Sequence, residues 1–293
     1  MPDFPIIDTH LHVWDQTRLK YSAFAGNPLF NHPYHVEDYQ RDCGDLQIEA
    51  MVFLECYADF WPDGGQYLEE IAFVEDEVLR DRRLRGIVPM APLEWGDAVR
   101  PLLTEIHAHH PLVKGIRRIV EFDTNPRNLA LSDEFVAGVN LLQDFGWHFE
   151  INVNYSQMDI VRELVPRVPG VQLILDHCGK PGIRAGALDQ YRDDMRVLAR
   201  HPNLWIKLSD LPVEADRAAW TEADLRPYIA ATLEEFGPDR VIFGGDYPIC
   251  LQATTMSQWV GVLDRAFADL GLSRNETRKI YRENANGFYR LGL

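Results

Sequence analysis

Basic residues are scarce in this chain. Its 293 residues include 29 lysines and arginines against 45 aspartates and glutamates, a net charge of −16 with histidine neutral. A field of that sign repels phosphate backbones and anionic lipid, which argues against nucleic acid and membrane surfaces as partners. A small-molecule substrate remains open, even an anionic one, because a local pair of arginines can override the global field. Cysteine is scarce too: Cys43, Cys56, Cys178 and Cys250 show no C-x-x-C spacing, and a chain this long does not need disulfide staples. No apolar run approaches the ~18 residues of a membrane span. The opening Met-Pro-Asp-Phe-Pro-Ile-Ile-Asp lacks the basic region and apolar stretch of a secretory signal. Together these absences lead us to expect a cytoplasmic chain. No Gly-rich phosphate loop follows the first apolar run, which disfavours an open doubly wound sheet.

What the sequence does have is alternation. Eight short runs rich in Val, Ile, Leu and Phe span Pro5 to Val13, Ala50 to Cys56, Arg85 to Ala91, Lys114 to Val120, Trp147 to Val153, Val171 to His177, Asn203 to Ser209 and Arg240 to Asp246. Each has the length and composition of a buried strand. Amphipathic segments separate most of them. Leu68, Ile71, Ala72, Val78 and Leu79 share one predicted helical face; Phe135, Val139 and Leu142 share another, stopped by Gly146. Ile160, Leu164 and Val165 form a third stripe, and Ser273 with Glu276 makes a capping box for a last helix. Eight buried strands alternating with helices predict an α/β fold, a (β/α)8 TIM barrel, as one domain over 1–293. A long aromatic-rich rim loop over 14–49 is read either as functional or as a small hydrophobic cluster of its own.

The chemistry concentrates at strand ends. In Ile-Ile-Asp-Thr-His-Leu-His, alternation points His10 and His12 to one face. His177 ends the sixth run and Asp246 the eighth. In a barrel these ends converge on one rim, where three imidazoles and a carboxylate suit a zinc ion.

Asp-Thr-His-Leu-His, Leu-Asp-His-Cys-Gly-Lys-Pro, Gly-Gly-Asp-Tyr-Pro and the tail Glu-Asn-Ala-Asn-Gly-Phe-Tyr-Arg-Leu resemble the amidohydrolase superfamily over nearly the whole chain. More narrowly they resemble its lactonase branch of sugar lactonases and pyrone-dicarboxylate lactonases. The resemblance implies a distorted barrel and hydrolysis by an activated water, with His10, His12, His177 and Asp246 around the reacting centre. It also implies a single zinc in members that use metal, and metal-independent catalysis in others. Lys114 opens its strand and so stands at the wrong end for the carboxylated lysine of two-metal relatives. Glu150 stands where some relatives carry a histidine, and is read as a ligand, a partner of a histidine, or a buried carboxylate paired with an arginine. Glu55 has similar standing.

Arg117 and Arg118 point to opposite faces of the fourth run. One of them, with Arg118 favoured, is expected to reach the site and clamp a substrate oxygen or carboxylate. Lys180 is a candidate for binding a substrate oxygen at the rim. Lys207, inside the seventh run, calls for a partner because an unpaired interior ammonium is costly. Tyr155 and Trp61, with Tyr57 and Tyr247, are candidate pocket walls. Cys178 has no readable base to make it a nucleophile, and His107, His109 and His110 are expected on a solvated helix face. In the expected mechanism Asp246 is the general base for water, and His177 serves both as ligand and in catalysis. The expected substrate is a small polar lactone, a sugar aldonolactone before a dicarboxylic lactone. The alternatives are a zinc-dependent decarboxylase of aromatic or muconate-type acids and a non-catalytic sugar- or metal-binding barrel.

Overall fold

The computed structural model describes residues 2–59, 67–121 and 129–293. Its strands are β1 (Ile6–Leu11), β2 (Ile48–Leu54), β3 (Leu84–Val88), β4 (Gly115–Arg117), β5 (His148–Ile151), β6 (Leu173–Leu175), β7 (Leu204–Leu208) and β8 (Val241–Phe243). Each pairs in parallel with its sequence neighbour, as the sheets β1-β2-β3 and β4-β5-β6-β7-β8. Isolated bridges join Ile87 to Val113 and Met90 to Arg117 across one seam, and Leu11 to Tyr247 across the other. The result is a distorted (β/α)8 barrel whose ladder thins at two seams. Most of the paired strands are shorter than the apolar runs. The chain leaves the ladder early at strand ends such as those of β4, β6 and β8 and turns over the rim, where the polar residues sit.

Strand alternation sorts the apolar residues into two layers. Ile7, Ala50, Val52, Leu54, Val88, Ile174 and Ile242 point into the barrel and pack on Phe288, Tyr289 and Leu291 of the C-terminal segment. Met51, Phe53, Leu173, Leu175, Ile206 and Phe243 belong to the larger cluster between strands and helices.

The helix Asp133–Leu141 buries Phe135 and Val139 and runs into a 3-10 turn that Gly146 ends in left-handed conformation. Ser273 and Glu276 form the reciprocal cap of Arg274–Arg278. The helix Tyr67–Arg80 departs from expectation: Ala72 is exposed, Leu79 is 65% exposed, and the buried face carries Glu70 and Glu77 beside Ile71, Val74 and Val78. Both acids pin neighbouring loops. Glu70 accepts the Cys56 N–H, and Glu77 accepts the Val36 N–H and bonds His35 Nδ1 at 3.0 Å. The segment over 14–49 holds its own aromatic cluster of Trp14, Tyr21, Phe24, Phe30 and Tyr34, then the helix Val36–Cys43. Among the described residues no helix is long and apolar enough to cross a membrane.

Candidate active site

Backbone strain marks the site before any side chain does. Seven described non-glycine residues have positive φ, and six lie after strand ends: Tyr57, His177, Cys178, Lys180, Asp210 and Asp246. Such conformations are unfavourable for residues with a Cβ and persist where the surroundings hold them, commonly at functional sites. They let the chain turn sharply while aiming polar groups inward from β2, β6, β7 and β8.

His10, His177 and Asp246 converge, each offering one ligand atom within 4.8 Å of the others. Asp246 Oδ1 lies 3.4 Å from His10 Nε2 and 3.2 Å from His12 Nε2. The imidazoles are held from behind. His177 Nδ1 meets Ser209 Oγ at 2.9 Å, and His12 Nδ1 meets the Leu54 carbonyl at 2.9 Å. A carbonyl only accepts, so His12 carries a proton on Nδ1. Burial, reinforced by the charge of Lys207, depresses the His10 pKa, and burial likewise depresses that of His177. Both are neutral at physiological pH and can act as metal donors. Burial would raise the Asp246 pKa, but His177 and the hydrogen bond with His12 bring it down to about 2. Asp210 hydrogen-bonds to Asp246, and its own pKa is pushed well up by burial and by the Asp246 charge.

Beneath this cluster lies a buried charge network. Arg117 Nε donates to Glu55 Oε1 at 3.1 Å and Nη2 to the Glu55 carbonyl at 2.6 Å. Its Nη1 reaches Asp176 Oδ2 at 3.1 Å and His10 Nε2 at 3.2 Å. Lys207 Nζ contacts Glu150 Oε2 and lies 3.0 Å from Asp176 Oδ1. Glu150 Oε1 also accepts from Tyr289 at 2.8 Å and pairs with His148 Nε2 at 3.0 Å. Buried charges need such partners, because a lone one costs several kcal/mol. Asp176 is raised to about 7, chiefly by burial, with Glu150 adding to the rise and Lys207 and Arg117 opposing it.

Each expected residue except Trp61 has a definite place. Arg117, not the favoured Arg118, enters the histidine cluster; Arg118 points to the other face of β4 and pairs with Glu94 at 2.7 Å. Glu150 lies one layer below the His10–His177–Asp246 group and is partnered by a lysine rather than an arginine. His12 touches Asp246 from the side. Lys180 sits at the rim against Glu121 Oε2 at 2.6 Å, with Tyr57 near both. Tyr155, half-buried, lines an open cleft of about 660 Å³ with Arg184, Glu214 and Arg217. Tyr247 is buried and donates to Asp42 at 2.7 Å, which makes it packing for the first rim segment. Cys178 is buried with its thiol pushed up to about 12. Trp61 lies outside the described residues. His107 and His109 are exposed, and His110 pairs with Glu75.

Asp176, Ser209, Asp210 and His148 were not singled out from the sequence. Asp176 stands two residues past the inward Ile174, and Ser209 two past the inward Lys207, so strand parity alone points both into the barrel.

Two imidazoles and a carboxylate within 4.8 Å, one imidazole fixed by Ser209 and all buried, form a donor set that fits one borderline ion. A second set of His10, Glu150 and Asp176 is also compact, but the Lys207 ammonium contacts both of its carboxylates.

Comparison with known proteins agrees with this architecture. The family model described as Amidohydrolase matches residues 7–291. The L-fucono-1,5-lactonase of Burkholderia multivorans is 30% identical over 97% of this chain and 96% of its own. The L-rhamnono-gamma-lactonase of Scheffersomyces stipitis is 25% identical over 99% of this chain and 100% of its own. The crystal structure of a Burkholderia multivorans amidohydrolase with bound zinc superposes with a TM-score of 0.84 at 26% identity, covering 98% and 99% of the two chains. The strand-end histidines, the aspartate after β8 and a family match over nearly every residue place this chain in the amidohydrolase family.

Proposed function

We propose that this protein hydrolyses a small polar lactone, a neutral sugar aldonolactone before a dicarboxylic one. The observation that carries the reading is the state of Asp246. It is a carboxylate buried at the barrel mouth, held ionised by His177 and His12. Such a group accepts a proton from water as the water oxygen bonds to a carbonyl carbon, because the water becomes strongly acidic as that bond forms. The same proton then passes to the ring oxygen as the ester bond breaks. His177, steadied by Ser209, and the fixed positive charge of Arg117 favour the negative charge that develops on the carbonyl oxygen. His10, His177 and Asp246 would hold a zinc ion, which would supply further positive charge and make the attacking water more acidic.

The choice of a neutral substrate follows from what the cations already hold. Arg117 is tied to Glu55 and Asp176, Arg118 to Glu94, and Lys180 to Glu121. To use these three cations, a dicarboxylic lactone would have to displace their carboxylates within a chain of charge −16. Sugar hydroxyls need only join them: the acceptors Glu121, Asp210 and Glu214 group around Lys180, with Tyr57 beside them. The names of the fucono- and rhamnono-lactonase relatives support the same class. Four free, buried cysteines suit the reducing cytoplasm.

The test is acid release, followed with a pH indicator, across aldonolactones and dicarboxylic lactones. Turnover of aldonolactones with little of the dicarboxylates supports the proposal. Preference for a dicarboxylic lactone overturns the substrate class. No turnover of any lactone overturns the reaction, and carbon dioxide release from aromatic acids then becomes the next measurement.

A further inference from the structure

Both compact donor groups among the described residues are touched by one of the chain's own cations. A guanidinium has only N–H donors and no acceptor. Its contact with His10 at 3.2 Å therefore requires that His10 present the Nε2 lone pair to Arg117 Nη1 and keep its proton on Nδ1. Nδ1 faces Asp176 Oδ1 at 3.7 Å, too far for a full hydrogen bond, and has no other partner among the described residues. Nε2 is also the His10 nitrogen nearest Asp246 Oδ1, at 3.4 Å, and so the one a metal shared with that carboxylate would take. Arg117 cannot easily withdraw. It is 1% exposed, and its Nε, Nη1 and Nη2 are all engaged by Glu55 and Asp176. In the neighbouring group of His10, Glu150 and Asp176, the Lys207 ammonium already contacts both carboxylates.

We propose that Arg117 sets the metal occupancy of this centre: its guanidinium competes with a divalent ion for the His10 Nε2 lone pair, and Lys207 closes the second donor group to metal. The inference rests on reading His10, His177 and Asp246 as a possible metal-binding group. It makes the chain a holder of at most one ion, bound weakly because a fixed positive charge stands about 3 Å from the shared ligand atom. Arg117 is thus a positioning residue whose effect is exerted through His10.

Zinc binding tests this directly, by competition with a chromophoric chelator on metal-free protein. Arg117→Gln removes the charge and is expected to tighten the zinc Kd at least tenfold. Because that change leaves Glu55 unpaired, the double variant Arg117→Gln/Glu55→Gln is measured beside it and is expected to retain the gain. Arg117→Lys keeps the charge and is expected to remain a weak binder. A wild-type measurement does not depend on whether the variants fold. In 15N-histidine spectra of the metal-free protein, assigned with His10→Gln, His10 should be protonated at Nδ1 and unprotonated at Nε2. The Nε2 signal should move together with the Arg117 side-chain signals as zinc is added.

Equal zinc affinity in wild type and both glutamine variants overturns the proposal, as does a His10 protonated at Nε2 or two zinc ions per wild-type chain. The readouts also separate this inference from the proposed reaction. Lactone turnover by metal-free wild type, with no zinc bound by any variant, sinks the inference and leaves the hydrolase standing. Tight zinc binding by the variants, with no lactone turned over by the wild type, does the reverse.

Discussion

At the residue scale the centre is built from opposed electrostatics. Burial works to raise Asp246, Asp210, Asp176 and Glu150, and the neighbours decide which stay charged. Asp246 is held ionised by histidines, whereas Asp210 beside it is kept neutral by burial and by the Asp246 charge itself. Asp246→Asn preserves the shape and removes both the proton acceptor and the negative charge. We expect kcat for the preferred lactone to fall by roughly a thousandfold in a protein that still folds, with a somewhat lower melting temperature, since the depressed pKa of Asp246 means that its ionised form stabilises the fold. Loss of fold in parallel with activity would mean that Asp246 is structural. His10, His12, His177 and Asp246 were legible from their positions at strand ends. The roles of Arg117 and Arg118 were not, because adjacent strand residues are symmetrical in sequence until the curvature of the sheet says which face is inside. Asp176 was hidden by its neighbour His177, although inward parity from Ile174 would have revealed it.

At the scale of the element, the eight strands were legible because a strand buried on both faces leaves an unbroken apolar run. Their ends were less so, since the last residues of a run look apolar whether they pair or turn over the rim. On the helix Tyr67–Arg80 hydrophobicity misled. Glu70 and Glu77, seven residues apart, lie on the buried face because they satisfy backbone N–H groups of neighbouring loops, a role that composition does not signal. The small residue at the start of β4 was not flagged either, yet it fixes the layer below the centre. A Cβ on Gly115 would lie 2.5 Å from the His148 ring, which packs beside Glu150 and Tyr289. Gly115→Ala must therefore push the ring off its bond to Glu150. Overpacking of this kind costs about 1–3 kcal/mol, to be read from urea unfolding curves. An unchanged midpoint would show that the ring has room to move.

At the scale of the whole molecule, the pH dependence of stability is set by buried groups whose pKa differs between the folded and unfolded chain. Glu214 illustrates the sign. Burial and the charge of Glu121 raise its pKa from 4.5 to about 7, against the pull of Lys180. Between those values the folded protein binds more protons than the unfolded chain, so stability declines as pH rises through this window and levels off above it. Asp8, raised to about 6 mainly by burial, acts in the same direction. Asp246 and Glu150, whose pKa values are depressed, act oppositely, and their contribution is lost only as pH falls below the ordinary carboxylate range. His10 and His177, whose pKa values burial depresses, pull the other way from Glu214 in this window, because the unfolded chain takes up protons on histidine below about pH 6.5 while the folded protein does not. Glu214→Gln has no proton to lose in this window, so between pH 5 and 8 its melting temperature should fall less, or rise more, than that of the wild type. Differential scanning calorimetry across that range, in the presence of chelator to exclude metal binding, measures both curves. Identical slopes in the two proteins would show that Glu214 titrates as an ordinary surface acid and that the rim around Lys180 is open to water.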